Sequence, residues 1–171
     1  MSHSNLKAFC LTFNPSLQKA VAENKERAVM GKAPMLCTLD AAYGEGGAVI
    51  WLIPQLHDLC ATVGAKTKLD DIQLKQLAQM IRDEFGYLKA TEVMLFLWRL
   101  KGGHYGEFYG SVDIQRVMRA LRGKFTEERA KVIGDYEGQL KDRARQERAK
   151  TALRPDEINA LRKRLKQEGK I

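Results

Sequence analysis

The stretch Thr91-Glu92-Val93-Met94-Leu95-Phe96-Leu97-Trp98-Arg99-Leu100-Lys101 decides how the chain folds. Val93 to Trp98 are consecutive apolar residues, and a short apolar run fits either a buried strand or a buried helix. Met and Leu outnumber the single β-branched Val. Glu92 stands where a helix dipole favours negative charge, and Arg99 and Lys101 stand at the end that favours positive charge. The stretch therefore reads as a helix, capped by Thr91 and stopped by Gly102. Being apolar all round, it belongs at the centre of a bundle.

Upstream, Asp70 with Gln73 forms a capping-box signature, and Leu74, Leu77, Ala78, Ile81 and Phe85 recur at helical spacing until Gly86 stops the segment. The turn Tyr87 to Ala90 then leads into the central helix, as in a helix-turn-helix. That placement fails, because the second helix has no polar face to offer DNA. Ala48 to Val63 carries Val49, Ile50, Trp51, Leu52, Ile53, Leu56, Leu59 and Cys60, a largely buried helix in which Pro54 predicts a kink or a restart. Pro34 starts a short helix with Met35, Leu36, Leu39, Ala42 and Tyr43 inward. Asn14-Pro15-Ser16 opens the first helix, whose apolar side is Leu17, Ala20, Val21 and Ala28 and whose stop is Gly31.

Downstream, Asp113 caps a helix with Ile114, Val117, Met118, Leu121 and Phe125 on one side. Gly123 either ends it, with Thr126-Glu127-Glu128 restarting one, or is passed through. Past Leu140 the apolar pattern fades into Lys141 to Lys150, a run of good helix formers with nothing to bury. Leu153-Arg154-Pro155 is a break. The last helix carries Ile158, Leu161 and Leu165 on a narrow stripe among Arg162, Lys163, Arg164 and Lys166. The fold expected is all-α: an irregular helical bundle around a buried central helix over residues 1–125, then a long basic helical extension over 126–171.

The chain of 171 residues is 44% hydrophobic and 29% charged, as in a globular domain, and no apolar run approaches the length of a membrane span. Met1-Ser2-His3-Ser4-Asn5 lacks the pattern of a secretory signal, which predicts a cytoplasmic protein that does not engage a membrane. Cys10, Cys37 and Cys60 are odd in number and widely spaced in apolar surroundings, so they read as reduced packing residues. A zinc site needs close pairs such as C-x-x-C, and there are none. Gly44-Glu45-Gly46-Gly47 lacks the spacing and the Lys-Ser or Lys-Thr of a phosphate-binding P-loop. No metal and no cofactor is expected.

The formal net charge is +8, and it is unevenly placed. Met1 to Asp113 holds 12 Lys and Arg against 12 Asp and Glu, whereas Ile114 to Ile171 holds 17 against 9. Such asymmetry favours a surface that faces a polyanion at one end of the chain.

Two regions then offer candidate binding residues. Lys101-Gly102-Gly103-His104-Tyr105-Gly106-Glu107-Phe108-Tyr109-Gly110-Ser111-Val112-Asp113 concentrates three aromatics and four glycines. It reads either as a platform on which bases stack, with Tyr105 and Tyr109 as stackers and Lys101 and His104 at phosphates, or as a loop whose aromatics pin it to the core. Arg116, Arg119 and Arg122 spread over about 120° of the following helix, with Lys124 beyond them. They read either as a phosphate-binding stripe or as a solvated face. The extension adds Arg143, Arg145, Arg148, Lys150, Arg162, Lys163 and Arg164.

Catalysis finds no comparable support. No nucleophile lies beside a base, the adjacent His57 and Asp58 point about 100° apart on a helix, and the histidines are scattered. The protein is expected not to be an enzyme.

The run from Phe85-Gly86-Tyr87-Leu88-Lys89 and Thr91-Glu92 through Lys101 to Asp113 resembles a family of small uncharacterised proteins from phages and mobile elements of gut Bacteroidales bacteria, over roughly Tyr43 to Phe125. The resemblance implies a mobile-element accessory protein connected with replication or other DNA handling, and it carries over no site residue. The expected function is a non-enzymatic accessory protein that holds DNA or RNA through phosphates. The alternative is a protein–protein adaptor or inhibitor whose C-terminal helices pair with a protein partner or with a second copy as a homo-oligomer.

Overall fold

The computed structural model describes residues 3–152 and 154–169. The leader reading at Met1-Ser2 and the Leu153 part of the break before Pro155 lie outside the described residues. Ten α-helices follow in order: α1 His3–Thr12, α2 Gln18–Ala22, α3 Lys25–Met30, α4 Leu36–Tyr43, α5 Gly47–Thr62, α6 Asp71–Phe85, α7 Ala90–Lys101, α8 Ile114–Ala120, α9 Thr126–Thr151 and α10 Pro155–Gln167. The fold is all-α, with no strand among the described residues beyond two isolated backbone bridges. The chain divides into two compact units, Met1–Ile133 and Gly134–Ile171.

In the first unit α7 occupies the centre. Val93, Met94, Leu95, Phe96 and Leu97 are all buried, and α7 packs against α2, α3 and α5. Two details differ from the expectation of an apolar helix. Trp98 stands 39% exposed, with the Lys101 ammonium 5.5 Å from its ring. Glu92 lies in the first turn as the dipole reading expected, but it is fully buried: its carboxylate accepts from the Lys89 backbone N–H at 2.8 Å and also from Arg129 Nε at 2.7 Å. The helix begins at Ala90, which leaves the Thr91 hydroxyl free to donate to the Ala28 carbonyl at 2.6 Å. Lys89 Nζ likewise donates to the Val29 carbonyl at 2.6 Å, which places a cation at the C-terminal end of α3.

α5 runs as one helix through Pro54, so of the kink or restart expected there the restart does not occur. Pro54 leaves the Ile50 carbonyl without its helical partner, but both residues lie on the exposed side, so water is available to that carbonyl. On the opposite side Trp51, Leu52, Leu56 and Leu59 are wholly buried and anchor the helix to its neighbours. The single first helix expected from Asn14 to Gly31 is instead a 3-10 turn (Pro15–Leu17), α2 and α3. Asn24 causes the division, because its side chain accepts from Arg27 N–H at 2.8 Å and caps a new helix. α1 was not foreseen; Phe9 anchors it against Phe13, Tyr43 and Trp51.

After α8 the chain passes through Gly123 without ending, by way of a π-helical turn over Leu121–Phe125. The Thr126 hydroxyl donates to the Leu121 carbonyl at 2.8 Å within this wider turn. Phe125 is buried edge-on to Phe96, and the start of α9 joins the core through Val132 and Ile133. In the second unit neither the remainder of α9 nor α10 buries a residue.

Candidate nucleic-acid interface

The segment after α7 is fixed at its interior points and turns one large aromatic outward. Tyr105 stacks on Phe96 at 5.6 Å between ring centroids and meets Phe125 edge-on at 6.3 Å. Phe108 packs against the core and Val112 is buried. Gly106 and Gly110 hold φ of 113° and 78°, conformations closed to most side chains, and let the chain turn between these anchors. The backbone is also paired across the fold: Thr67 N–H donates to the Gly110 carbonyl at 3.1 Å, and Val112 N–H donates to the Thr67 carbonyl at 3.0 Å. Tyr109 is left 76% exposed, with the Arg116 guanidinium 5.5 Å from its ring centroid.

The loop's two sequence readings thus divide by residue. Tyr105 is packed in the core, while Tyr109 is presented outward. Lys101 Nζ pairs with Asp58 and is nearly buried, whereas His104 is exposed, with Nδ1 3.2 Å from the Arg99 carbonyl. The pairing through Thr67 brings in two cations that sequence reasoning passed over: Lys66 and Lys68, both exposed, flank the paired residue. Nothing in the local sequence of Gly64 to Lys68 signals this, since the pairing spans more than forty residues.

The three arginines of α8 and the π turn do not form one row. Arg116 turns toward the loop, where it donates to the Glu107 carbonyl and covers Phe108 as well as Tyr109. Arg119 and Arg122 line a hollow of about 620 Å³ with Met80, Ile114 and Met118. Arg122 holds Glu84 through both Nε and Nη2, the latter at 2.6 Å. Its hydrogen bonds keep the Glu84 carboxyl below the ordinary carboxylate value. Lys124 is exposed. In the second unit Arg143, Arg145, Arg148, Arg162, Lys163 and Arg164 are exposed without an ion-pair partner among the described residues, and Lys150 pairs with Glu147 at 3.0 Å.

A half-buried polar cluster ties three helices to the loop. Glu128 of α9 accepts from the Tyr105 hydroxyl at 2.6 Å and pairs with Lys25 of α3 and Arg99 of α7, both at 2.9 Å. Burial pushes the Glu128 carboxyl up, but the hydrogen bond from Tyr105, the close Lys25 ammonium and the charge of Arg99 outweigh it and hold the group below its ordinary value. Tyr105 is pushed well up, first by burial and then by the carboxylate it faces. Oε2 takes both the Tyr105 hydroxyl and the Arg99 guanidinium, and Oε1 has the Lys25 ammonium as an ion-pair partner but no hydrogen bond, an arrangement that suits a structural tie. Asp58, His104 and Glu107 have separate partners: the Lys101 ammonium, the Arg99 carbonyl and, for the Glu107 backbone, Arg116. Among the described residues no group of three or more His, Cys, Asp or Glu could hold a metal ion. The cysteines are all free, and Cys37 is exposed, against the expectation that all three lie in apolar surroundings. Leu36 and Cys37 donate backbone N–H to the turn before α7, which leaves the Cys37 side chain facing out.

Among the described residues no helix is long and apolar enough to cross a membrane. Residues 68–169 match a family of unknown function, DUF6633. No curated protein and no solved structure matches the chain.

Proposed function

The chain belongs to this family of unknown function, and we propose that it is a non-enzymatic nucleic-acid-binding accessory protein of a phage or mobile element, acting in the cytoplasm in replication or other DNA handling. The observation that carries the reading is the state of the tail cations. Arg143, Arg145, Arg148, Arg162, Lys163 and Arg164 stand on α10 and on the part of α9 past Ile133, which bury nothing, and have no carboxylate partner among the described residues. A guanidinium free of internal partners can give parallel hydrogen bonds to a phosphate. Binding of this kind is largely independent of sequence and depends steeply on salt. The phage or mobile-element setting rests on the resemblance of Phe85 to Asp113.

The test is a titration of duplex DNA at several salt concentrations with the whole chain and with a variant carrying Gln at those six positions. Every phosphate that the variant no longer neutralises should flatten the plot of log affinity against log salt by about 0.9. Equal affinity and equal slope for the two proteins would remove the proposal. Neutralisation is preferable to truncation after Phe125, because Glu128, Arg129, Val132 and Ile133 belong to the core ties of the first unit.

A second reading has its own observation. Ile158 and Leu161 of α10 are 37% and 48% exposed and share a stripe with Leu165, the pattern of a helix that pairs with another protein or a second copy. Light scattering separates the two: a salt-insensitive oligomer that ignores nucleic acid supports the adaptor.

A further inference from the structure

We infer that the loop after α7 and the Lys66–Lys68 segment together form a site for single-stranded nucleic acid, in which Tyr109 stacks on one base and Arg116, Lys66 and Lys68 hold the neighbouring phosphates. The inference rests on the proposed nucleic-acid function and adds to it a second location and a class of strand.

Three observations converge on the site. First, the loop is pinned to the fold on both sides of Tyr109. Tyr105, Phe108 and Val112 are drawn into the fold, and the backbone on both sides of Ser111 is hydrogen-bonded to Thr67. The one large aromatic that this frame holds outward is therefore held in place, and stacking on it costs little loss of loop freedom. Second, Arg116 lies 5.5 Å from the Tyr109 ring centroid and is itself fixed by its bond to the Glu107 carbonyl. A base laid on the ring would have a cation next to it whose remaining N–H groups can reach phosphate. Third, the pairing of Thr67 with Gly110 and Val112 sets Lys66 and Lys68, distant in sequence, beside the same loop. An exposed tyrosine alone means little; one with Arg116 at its ring, in a loop whose backbone is paired to the segment that carries exposed Lys66 and Lys68, matches the aromatic and basic pattern that follows an unpaired strand.

The geometry also selects the strand. In a duplex both faces of an internal base are already stacked, so Tyr109 can contribute only where bases are unpaired. The tail cations meet phosphates of either form, whereas this loop discriminates.

The test measures fluorescence anisotropy of labelled oligothymidine, oligouridine and a DNA duplex of equal length with the full chain, Tyr109→Ala, Tyr109→Phe and a Lys66→Gln/Lys68→Gln double variant. Tyr109 is on the surface, so the variants fold as the parent does, which circular dichroism verifies. Tyr109→Ala should weaken binding to one or both single strands about tenfold, with Tyr109→Phe close to the parent and duplex affinity unchanged. The double variant should flatten the salt dependence on single strands by about 0.7 for each phosphate it releases. A response from one oligonucleotide alone identifies the strand as DNA or RNA, and a response from both shows a site that takes either. Unchanged single-strand affinity in Tyr109→Ala, alongside binding that depends on the tail arginines, overturns this site and leaves the proposed function standing. No binding of any probe overturns both.

Discussion

The two compact units differ in how far they bind their own positive charges, since the first pairs a set of them with carboxylates and the second pairs almost none. In the first, Arg82, Arg99, Lys101, Arg122 and Arg129 each meet a carboxylate, and Arg129 meets one that is fully buried. In the second, Lys150 alone has an ion-pair partner among the described residues. Net charge counts these groups alike, yet a cation bonded within the fold is committed to holding helices together while an unpaired one remains available to an outside anion. The difference teaches that the partner carboxylate, more than the arginine, decides what a basic residue can do.

The contrast breaks most visibly at Arg129. Removing it strands the buried Glu92 carboxylate with only the Lys89 N–H as a partner, and an uncompensated buried charge costs about 3 kcal/mol or more. Arg129→Ala should therefore shift the urea midpoint far down, whereas Arg145→Ala on the tail should leave it in place. Equal shifts in the two variants would erase the distinction between the units.

Tyr105→Phe probes the same contrast within the first unit. The hydroxyl lies between Arg99 and Glu128, and losing a hydrogen bond to a charged group costs roughly 1.5–3 kcal/mol. The change also alters the response to acid. Glu128 has a folded value below its unfolded one, so its contribution is complete above the unfolded carboxylate value and is lost as pH falls through the folded value. Without the donated bond the folded value rises toward the unfolded one, so the loss in Tyr105→Phe should begin at the same unfolded carboxylate value as in the parent but be smaller and complete at a higher pH. Urea titrations between neutral pH and about pH 3 would reveal it.

Much of this frame is legible in the chain itself. The period of Leu74, Leu77, Ala78 and Ile81, the capping box at Asp70 and the apolar run of α7 all act locally, so the pattern carries them. What escapes is the pairing of distant groups. Glu92 reads as a dipole partner because nothing within four residues announces Arg129, and Lys66 and Lys68 read as solvated loop because Thr67 pairs with residues far along the chain. Arg116, Arg119 and Arg122 share a periodicity, but Glu107 and Glu84 draw two of them to different neighbours. The candidate tail residues other than Lys150 are legible for the opposite reason: among the described residues they meet no ion-pair partner, so composition alone describes them.

Glycines extend the comparison to the backbone. Gly134 and Gly138 lie in mid-helix with open space where a Cβ would stand, and Gly in a helix interior is less favourable than Ala by about 1 kcal/mol. Alanine at both positions should raise the helical signal of the tail and leave core stability unaltered. If instead the double variant dissolves an oligomer, the small-residue face is in contact with another copy, and the adaptor reading gains.

The finest test sits at Arg122, where the two kinds of cation differ by a single exposed bond. Its partner Glu84 is itself on the surface, so the pair is screened by salt and contributes little to folding. Arg122→Gln should thus leave the urea midpoint unmoved. Glu84→Gln does something different: it removes the carboxylate and returns Arg122 to solvent beside Arg119, in the hollow formed with Met80 and Met118. If an internal partner is what keeps a basic residue from a polyanion, Glu84→Gln should steepen the salt dependence of duplex binding by up to about 0.9, the increment of one neutralised phosphate. A slope identical to the parent's would mean that Arg122 lies outside the bound surface, whatever its pairing.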